Sequence, residues 1–232
     1  MTNDEWQINH HEKNRIPFLH SSFVIRHSMT PSIVVFDLGK VLVDFDYSIA
    51  ARKISERSTR PAVDIRKLLD HSPLLYRYET GLMTRQEFFE EVRQATGFRG
   101  TIEEFGGFFA DIFWEIPPMI EIQAALRRQG IPTYIFSNTN DLAVVHIRRN
   151  FPFFANFDGY ILSYEIGAMK PDAKIYEALE RMAGKHGAEV LYLDDRQENV
   201  DGGAARGWQV ILQTDPEKSR AAMHQLGLLN NS

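Results

Sequence analysis

The sequence has no cysteine among its 232 residues, which excludes disulfides, thiolate metal sites and cysteine nucleophiles together. Such a composition suits a reducing compartment, and a cytoplasmic location is the expectation. No apolar run approaches the roughly 18 residues that a membrane span needs. Blocks of like charge are absent as well: 26 Lys and Arg are interspersed with 31 Asp and Glu, for a net charge of −5. Neither nucleic acid nor a membrane surface is therefore expected as a partner through bulk electrostatics. A small anionic substrate needs a local cationic site instead.

With 44% hydrophobic residues, the chain can build one sizeable core and a smaller insert. Residues 1–30 read differently. They are polar, carry His10, His11, His20 and His27, and show no useful periodicity, so a disordered extension is expected rather than a metal-binding tract or a signal peptide. Met29, just before the first strand, reads as an alternative translation start.

From there on, short apolar runs bounded by turn residues alternate with amphipathic segments, the pattern of a parallel sheet covered by helices. Strands are predicted at 33–36, 133–136, 159–162, 190–193 and 209–212. Helices are predicted at 119–129, 141–149, 173–183, 199–206 and 216–226. Between the first two strands, residues 44–118 show no strand signal, and helical spacing recurs at 47–57, 63–69, 84–96 and 102–113. Thr84 and Glu87 form a capping-box pair at one helix start. The fold expected is thus α/β: a parallel core at 31–43 and 119–232 with helices on both faces, and an inserted four-helix cap at 44–118. A cap that leaves and rejoins beside a site is placed to exclude water and select substrates.

Four polar sites follow strands in order. Asp37 ends the first, with Gly39 allowing a tight turn. A rigidly held carboxylate there suits a nucleophile that attacks phosphorus. Ser137 and Asn138 precede a helix, where hydroxyl and backbone N–H donors can meet phosphate oxygens. Lys170, before another helix, offers the charge that offsets repulsion between a carboxylate and a phosphate. Asp194 and Asp195 are adjacent acids at a strand end, a pairing that calls for protonation, hydrogen bonds or a cation. Mg2+ takes such hard oxygen ligands, with Asp37, Asp195 and the Gly39 carbonyl as the protein's share and Asp194 as a direct or indirect contributor. Each element alone has a plainer reading, as a turn, a helix cap or a solvated lysine.

Taken together, Asp37-Leu-Gly39, Ser137-Asn-Thr, Lys170-Pro-Asp and Asp194-Asp195 resemble the four motifs of the haloacid dehalogenase-like hydrolase superfamily. The resemblance implies a Rossmann-like core, a type one helical cap and Mg2+-dependent hydrolysis of a small phosphate ester through an aspartyl-phosphate on Asp37. It departs at Gly39, where most phosphatases of that superfamily carry a second aspartate serving as general acid and base. Bacterial sugar-phosphate phosphatases such as glucose-1-phosphatases share this lack, and a sugar phosphate is the substrate implied. Asp44, Asp46, Lys40, Tyr76 and Glu79 are the candidate surrogates.

Two rival readings follow from the same departure. A 2-haloacid dehalogenase also lacks the second acid but uses no metal, and paired acids would repel its substrate. A silent phosphate-binding or partner-binding module is the other. Phe105, Phe108, Phe109, Phe113 and Trp114 read as the core of the cap, and Phe151, Phe153, Phe154 and Phe157 as packing around a core loop. Arg77, Arg196 and His146 carry no assigned role.

Overall fold

A computed structural model of the chain describes residues 29–230 and a short strand at Phe23–Val24. His10, His11, His20 and His27, and nearly all of the expected extension, lie outside the described residues. The described piece of it corrects the expectation, because Phe23–Val24 pairs with the sheet.

The chain runs through β1 (Phe23–Val24), β2 (Ile33–Phe36) and β3 (Val43–Phe45) into five helices. These are α1 (Tyr47–Ser55), α2 (Ala62–Leu69), α3 (Pro73–Glu79), α4 (Arg85–Thr96) and α5 (Ile102–Ala110). It returns through β4 (Phe113–Glu115), α6 (Pro117–Arg128), β5 (Thr133–Ser137), α7 (Asp141–Asn150), β6 (Gly159–Leu162) and α8 (Ser163–Ile166). The last elements are α9 (Ala173–Ala183), β7 (Val190–Asp194), α10 (Gln197–Ala205), β8 (Gln209–Leu212) and α11 (Pro216–Gln225). The main sheet has the order β1-β8-β7-β2-β5-β6 and is parallel except for β1.

Every residue of β2 is buried, and alternation sends its side chains to two cores. Val34 and Phe36 pack with Ile122, Leu126 and Met223 of α6 and α11. Ile33 and Val35 pack with Ile175, Leu179 and Val200 of α9 and α10. A strand buried on both faces reads as a continuous apolar run, which is why Ile-Val-Val-Phe lacks polar alternation. Full burial of each such side chain is worth about 1.5–3 kcal/mol.

The insert has a core of its own around Phe88, Phe105 and Phe109, with the last two rings stacked at 5.8 Å. Capping boxes start α4, at Thr84 and Glu87, and α5, at Thr101 and Glu104. Two expectations need correction. The insert holds five helices rather than four: α3 begins at Ser72-Pro73 and is only seven residues long, too short for a clear periodic signal. It also carries strand structure. β3 and β4 form an antiparallel ribbon pairing Phe45 with Phe113, so Phe113 and Trp114 are strand residues and Trp114 is exposed. Phe153, Phe154 and Phe157 are buried in the main core as expected. Among the described residues no helix is long and apolar enough to cross a membrane.

The insert is seated firmly on the sheet. Leu142 of α7 packs into the insert's core. Asp141, at the start of α7, accepts hydrogen bonds from Arg85 Nε and Nη2 at 2.8 and 2.6 Å and from the Tyr78 hydroxyl. Ser163 Oγ accepts from Thr139 N at 2.9 Å and donates to the Glu79 carbonyl at 2.5 Å. Directly after α3, Gly81 has φ +71°, and a Cβ there would come within 2.3 Å of the Tyr164 carbonyl oxygen. Only glycine fits that approach.

Candidate active site

Because β2 lies between β7 and β5, residues far apart in sequence meet beyond the carboxyl ends of these strands. Asp37 follows β2, its N–H donating to the Leu193 carbonyl at 2.9 Å. Its Oδ1 accepts from Leu38 N at 2.7 Å and lies 3.0 Å from Lys170 Nζ. Lys170, 5% exposed, also donates to Asp194 Oδ2 at 2.6 Å and to the Phe136 carbonyl at 2.8 Å. All three donor positions of the ammonium are thus taken, and the side chain is fixed.

Asp194 is fully buried and hydrogen-bonded throughout. Besides Lys170 it accepts from Arg196 N at 2.8 Å, from Asn199 Nδ2 at 3.0 and 3.1 Å, and from the Tyr192 hydroxyl. Burial opposes its charge, but Lys170 and these donors outweigh burial and hold its carboxyl below the usual range. Asp195, half-buried, makes no side-chain hydrogen bond within the described residues, and burial with Asp194 beside it pushes its carboxyl up. Burial pushes Asp37 up to about 8, held back by Lys170 and helped by Asp194 and Asp195.

Carboxylate oxygens of Asp37, Asp194 and Asp195 lie within 4.8 Å of one another. Three carboxyl groups face one ammonium in a buried space, and burial, with the neighbouring carboxylates, opposes ionisation of Asp37 and Asp195 in the absence of a further cation. Hard oxygen donors with that imbalance fit a hard divalent cation. The Gly39 carbonyl accepts no hydrogen bond from a described residue and is a further donor. Asp194 has its oxygens engaged by Lys170, Tyr192, Arg196 and Asn199, whereas Asp195 has none of these partners.

The remaining predicted residues divide. Asn138 lines the cavity, but its side chain is engaged with the backbone of Lys170: Nδ2 donates to the Lys170 carbonyl at 3.0 Å, and Lys170 N donates to Oδ1 at 2.7 Å. Ser137 is buried, is absent from the cavity wall, and has one long contact, to the Asn138 carbonyl at 3.4 Å. Arg196 lines the cavity; Arg77 instead pairs with Glu91 on the surface. His146 borders a separate groove between α5 and α7. Sequence reasoning missed Tyr192 and Asn199, the partners of Asp194. Their signal was positional only: two residues before it on the strand, and five after it in the first turn of α10.

The cavity measures about 720 Å³ and lies between the strand ends and the insert, which contributes Tyr47, Arg66, Leu75, Tyr76 and Glu79 among others. Burial pushes the Glu79 carboxyl up to about 7, held back by the Asn140 side chain and Arg196. Asp46 does the opposite. It caps α1 through Ser48 N at 2.8 Å, and Ser48 holds it below the usual range.

Set against known proteins, the family model described as haloacid dehalogenase-like hydrolase matches residues 31–207. A D-ribitol-5-phosphate phosphatase of Bacteroides thetaiotaomicron is 23% identical over 86% of this chain and 98% of its own. A sesquiterpene phosphatase of Aspergillus oryzae is 24% identical over 83% of this chain and 94% of its own. Among solved structures, a HAD family enzyme from Bacteroides thetaiotaomicron in complex with magnesium and inorganic phosphate superposes with TM-score 0.70 at 23% identity, covering 79% of this chain and 94% of that one. An L-2-haloacid dehalogenase from Xanthobacter autotrophicus gives TM-score 0.57 at 20% identity, covering 78% and 76%.

Proposed function

The chain belongs to the haloacid dehalogenase-like hydrolase family, and from that premise we propose that it is a Mg2+-dependent phosphatase of a small phosphorylated metabolite, a sugar or polyol phosphate. The observation that carries the reading is the position of Lys170, buried and bonded to Asp37 and Asp194 beside the unpaired Asp195. A lysine so placed leaves Asp37 anchored and aimed, while the surplus carboxylate charge calls for a metal. Asp37, Asp195 and the Gly39 carbonyl would hold Mg2+, and when bound it neutralises charge on the phosphate. Asp37 attacks phosphorus and forms an aspartyl-phosphate that water hydrolyses. Lys170 screens the approach of the two anions. Ser137 and Asn138, with the loop after β5, are the donors proposed for phosphate oxygens.

Residues 44–118 act as the cap that selects the substrate. Its cavity wall is mixed: Arg66, Asp70, Ser72 and Glu79 offer hydrogen bonds to hydroxyls, between Tyr47, Leu75 and Tyr76. That suits a polyhydroxylated leaving group, in line with the ribitol-phosphate relative. The dehalogenase likeness extends to the fold, but the two further carboxylates beside the nucleophile, Asp194 and Asp195, disfavour a halocarboxylate substrate.

The test is phosphate release from p-nitrophenyl phosphate and a panel of sugar and polyol phosphates, with Mg2+ and with EDTA, for wild type and Asp37→Asn. Metal-dependent turnover lost in the variant is expected. Chloride release from 2-chloropropionate without metal would overturn the reading.

A further inference from the structure

We infer that Glu79, on the insert, is the general acid and base of this site, in place of the carboxyl missing at Gly39; the inference rests on the phosphatase reading above. The local position after the nucleophile is closed. A Cβ on Gly39 would lie 2.9 Å from Cε1 of Phe45, so the aromatic ring occupies the space that an acidic side chain would enter. The acid must come from elsewhere on the cavity wall.

The nearby aspartates outside the carboxylate cluster are committed. Asp44 is bonded to Lys40 and to Phe45 N. Asp46 is the N-cap of α1. Asp70 lies 3.5 Å from both Arg66 and His71. Tyr47 has its phenol pushed well above its ordinary value by burial and by neighbouring Glu79 and Asp70, so it serves poorly as a base. Glu79 forms no ion pair with a described residue and lines the same cavity as Asp37.

Its placement is fixed from the core. The Glu79 carbonyl accepts from Ser163 Oγ at 2.5 Å, and that hydroxyl in turn holds Thr139 N of the loop after β5. Gly81, two residues on, is pressed against the Tyr164 carbonyl. The backbone that carries this side chain is thus tied to the loops of the core although it belongs to the insert in sequence, and the residue lines the cavity. Asn140 and Arg196 face it from the loops after β5 and β7, Tyr47 from α1, and Lys40, Arg66 and His71 line the same cavity. A value near 7 gives both protonation states at neutral pH, as a group that must donate and then accept requires.

In the first step an Asp37 oxygen bonds to phosphorus, the bond from phosphorus to the leaving oxygen breaks, and protonated Glu79 gives that oxygen its proton, releasing the alcohol. In the second, water bonds to phosphorus and gives a proton to the Glu79 carboxylate. The bond to Asp37 then breaks, releasing inorganic phosphate and restoring both side chains.

The experiment compares phenyl phosphate with p-nitrophenyl phosphate in wild type, Glu79→Gln, Glu79→Asp and Asp37→Asn, with Mg2+ present. Turnover lost in Asp37→Asn supports the underlying reading independently of Glu79; turnover retained there overturns both. In Glu79→Gln, phenyl phosphate turnover should fall about 10²- to 10⁴-fold. p-Nitrophenyl phosphate, whose leaving group needs no proton, should still give a stoichiometric burst of nitrophenolate followed by slow turnover. The limb of the pH profile near 7 should vanish, and Glu79→Asp should restore part of it. Equal losses on both esters with an unchanged pH profile would mean a structural role and overturn the inference, as would wild-type rates in Glu79→Gln.

Discussion

Asn138 and Lys170 bond to one another twice, side-chain amide to backbone carbonyl and backbone N–H to side-chain oxygen. The pair joins the loop after β5 to the loop that carries the ammonium, and so sets where Lys170 starts on its way to Asp37. Asn138→Ala removes both bonds and leaves the backbone of Lys170 free to shift. Misplacement by an ångström can cost about 10²-fold in rate. The expected outcome is a kcat loss of that order with KM little changed, read by steady-state kinetics on p-nitrophenyl phosphate; an equal rise in KM would place Asn138 in substrate binding instead.

Asp194 and Asp195 should separate under metal titration. Asp195 is unpaired and Asp194 is saturated with donors, so Mg2+ should raise the Tm of wild type and of Asp194→Asn, but not that of Asp195→Asn. Saturation at 100 times Kd stabilises by about 2.7 kcal/mol. Without metal, Asp194→Asn should be the less stable variant, because it strips Lys170 of a buried partner, a loss that commonly costs about 3–5 kcal/mol. Thermal melts with and without Mg2+ distinguish the two effects.

The stability of the metal-free protein should depend on Asp37 in a defined direction. Its carboxyl is raised from 3.8 to about 8, so the folded state holds this proton more tightly than the unfolded one. The stabilisation is complete below about pH 4 and is lost as pH rises through about 8. In EDTA, urea unfolding of wild type should show this decline and Asp37→Asn should lack it. Mg2+ should flatten the upper part of the curve by stabilising the carboxylate.

Restoring the second acid locally should fail. Gly39→Asp places atoms against the Phe45 ring, and overpacking of this kind costs about 1–3 kcal/mol. Lower Tm and lower activity are expected. Adding Phe45→Ala should recover stability relative to Gly39→Asp alone, and a double-mutant cycle by thermal melts measures the coupling.

The parallel core was legible because its strands are buried on both faces and read as unbroken apolar runs: 33–36, 159–162 and 209–212 were located to the residue. Three of the four polar sites were legible because they stand at the ends of such strands; Lys170 instead follows α8 and was marked by its place before α9. The β3–β4 ribbon was not, since Val43-Asp-Phe and Phe113-Trp-Glu are three residues each and only their pairing makes them strands. α3 was lost to its shortness. The roles of Asn138 and Asp194 depend on hydrogen bonds to Lys170, 32 and 24 residues away, which no spacing along one segment encodes, while Tyr192 and Asn199, near Asp194 in sequence, are marked by position alone. Ser137, whose residue type and position fit a phosphate loop, is buried and has one long contact, to the Asn138 carbonyl at 3.4 Å.

The central position of β2 has a consequence for how the protein is made. β2 leaves the ribosome early, but its hydrogen-bonding neighbours β5 and β7 both lie in the second half of the chain. During synthesis the strand of Ile33–Phe36 therefore waits with two open edges while the helical insert, whose contacts are local, can collapse first. Long-range parallel pairing closes slowly, and exposed apolar edges invite association with other chains. Nascent chains stalled before β5 should accordingly engage chaperones through this segment, and Asp194 and Asp195 join the site only once β7 has paired with β2.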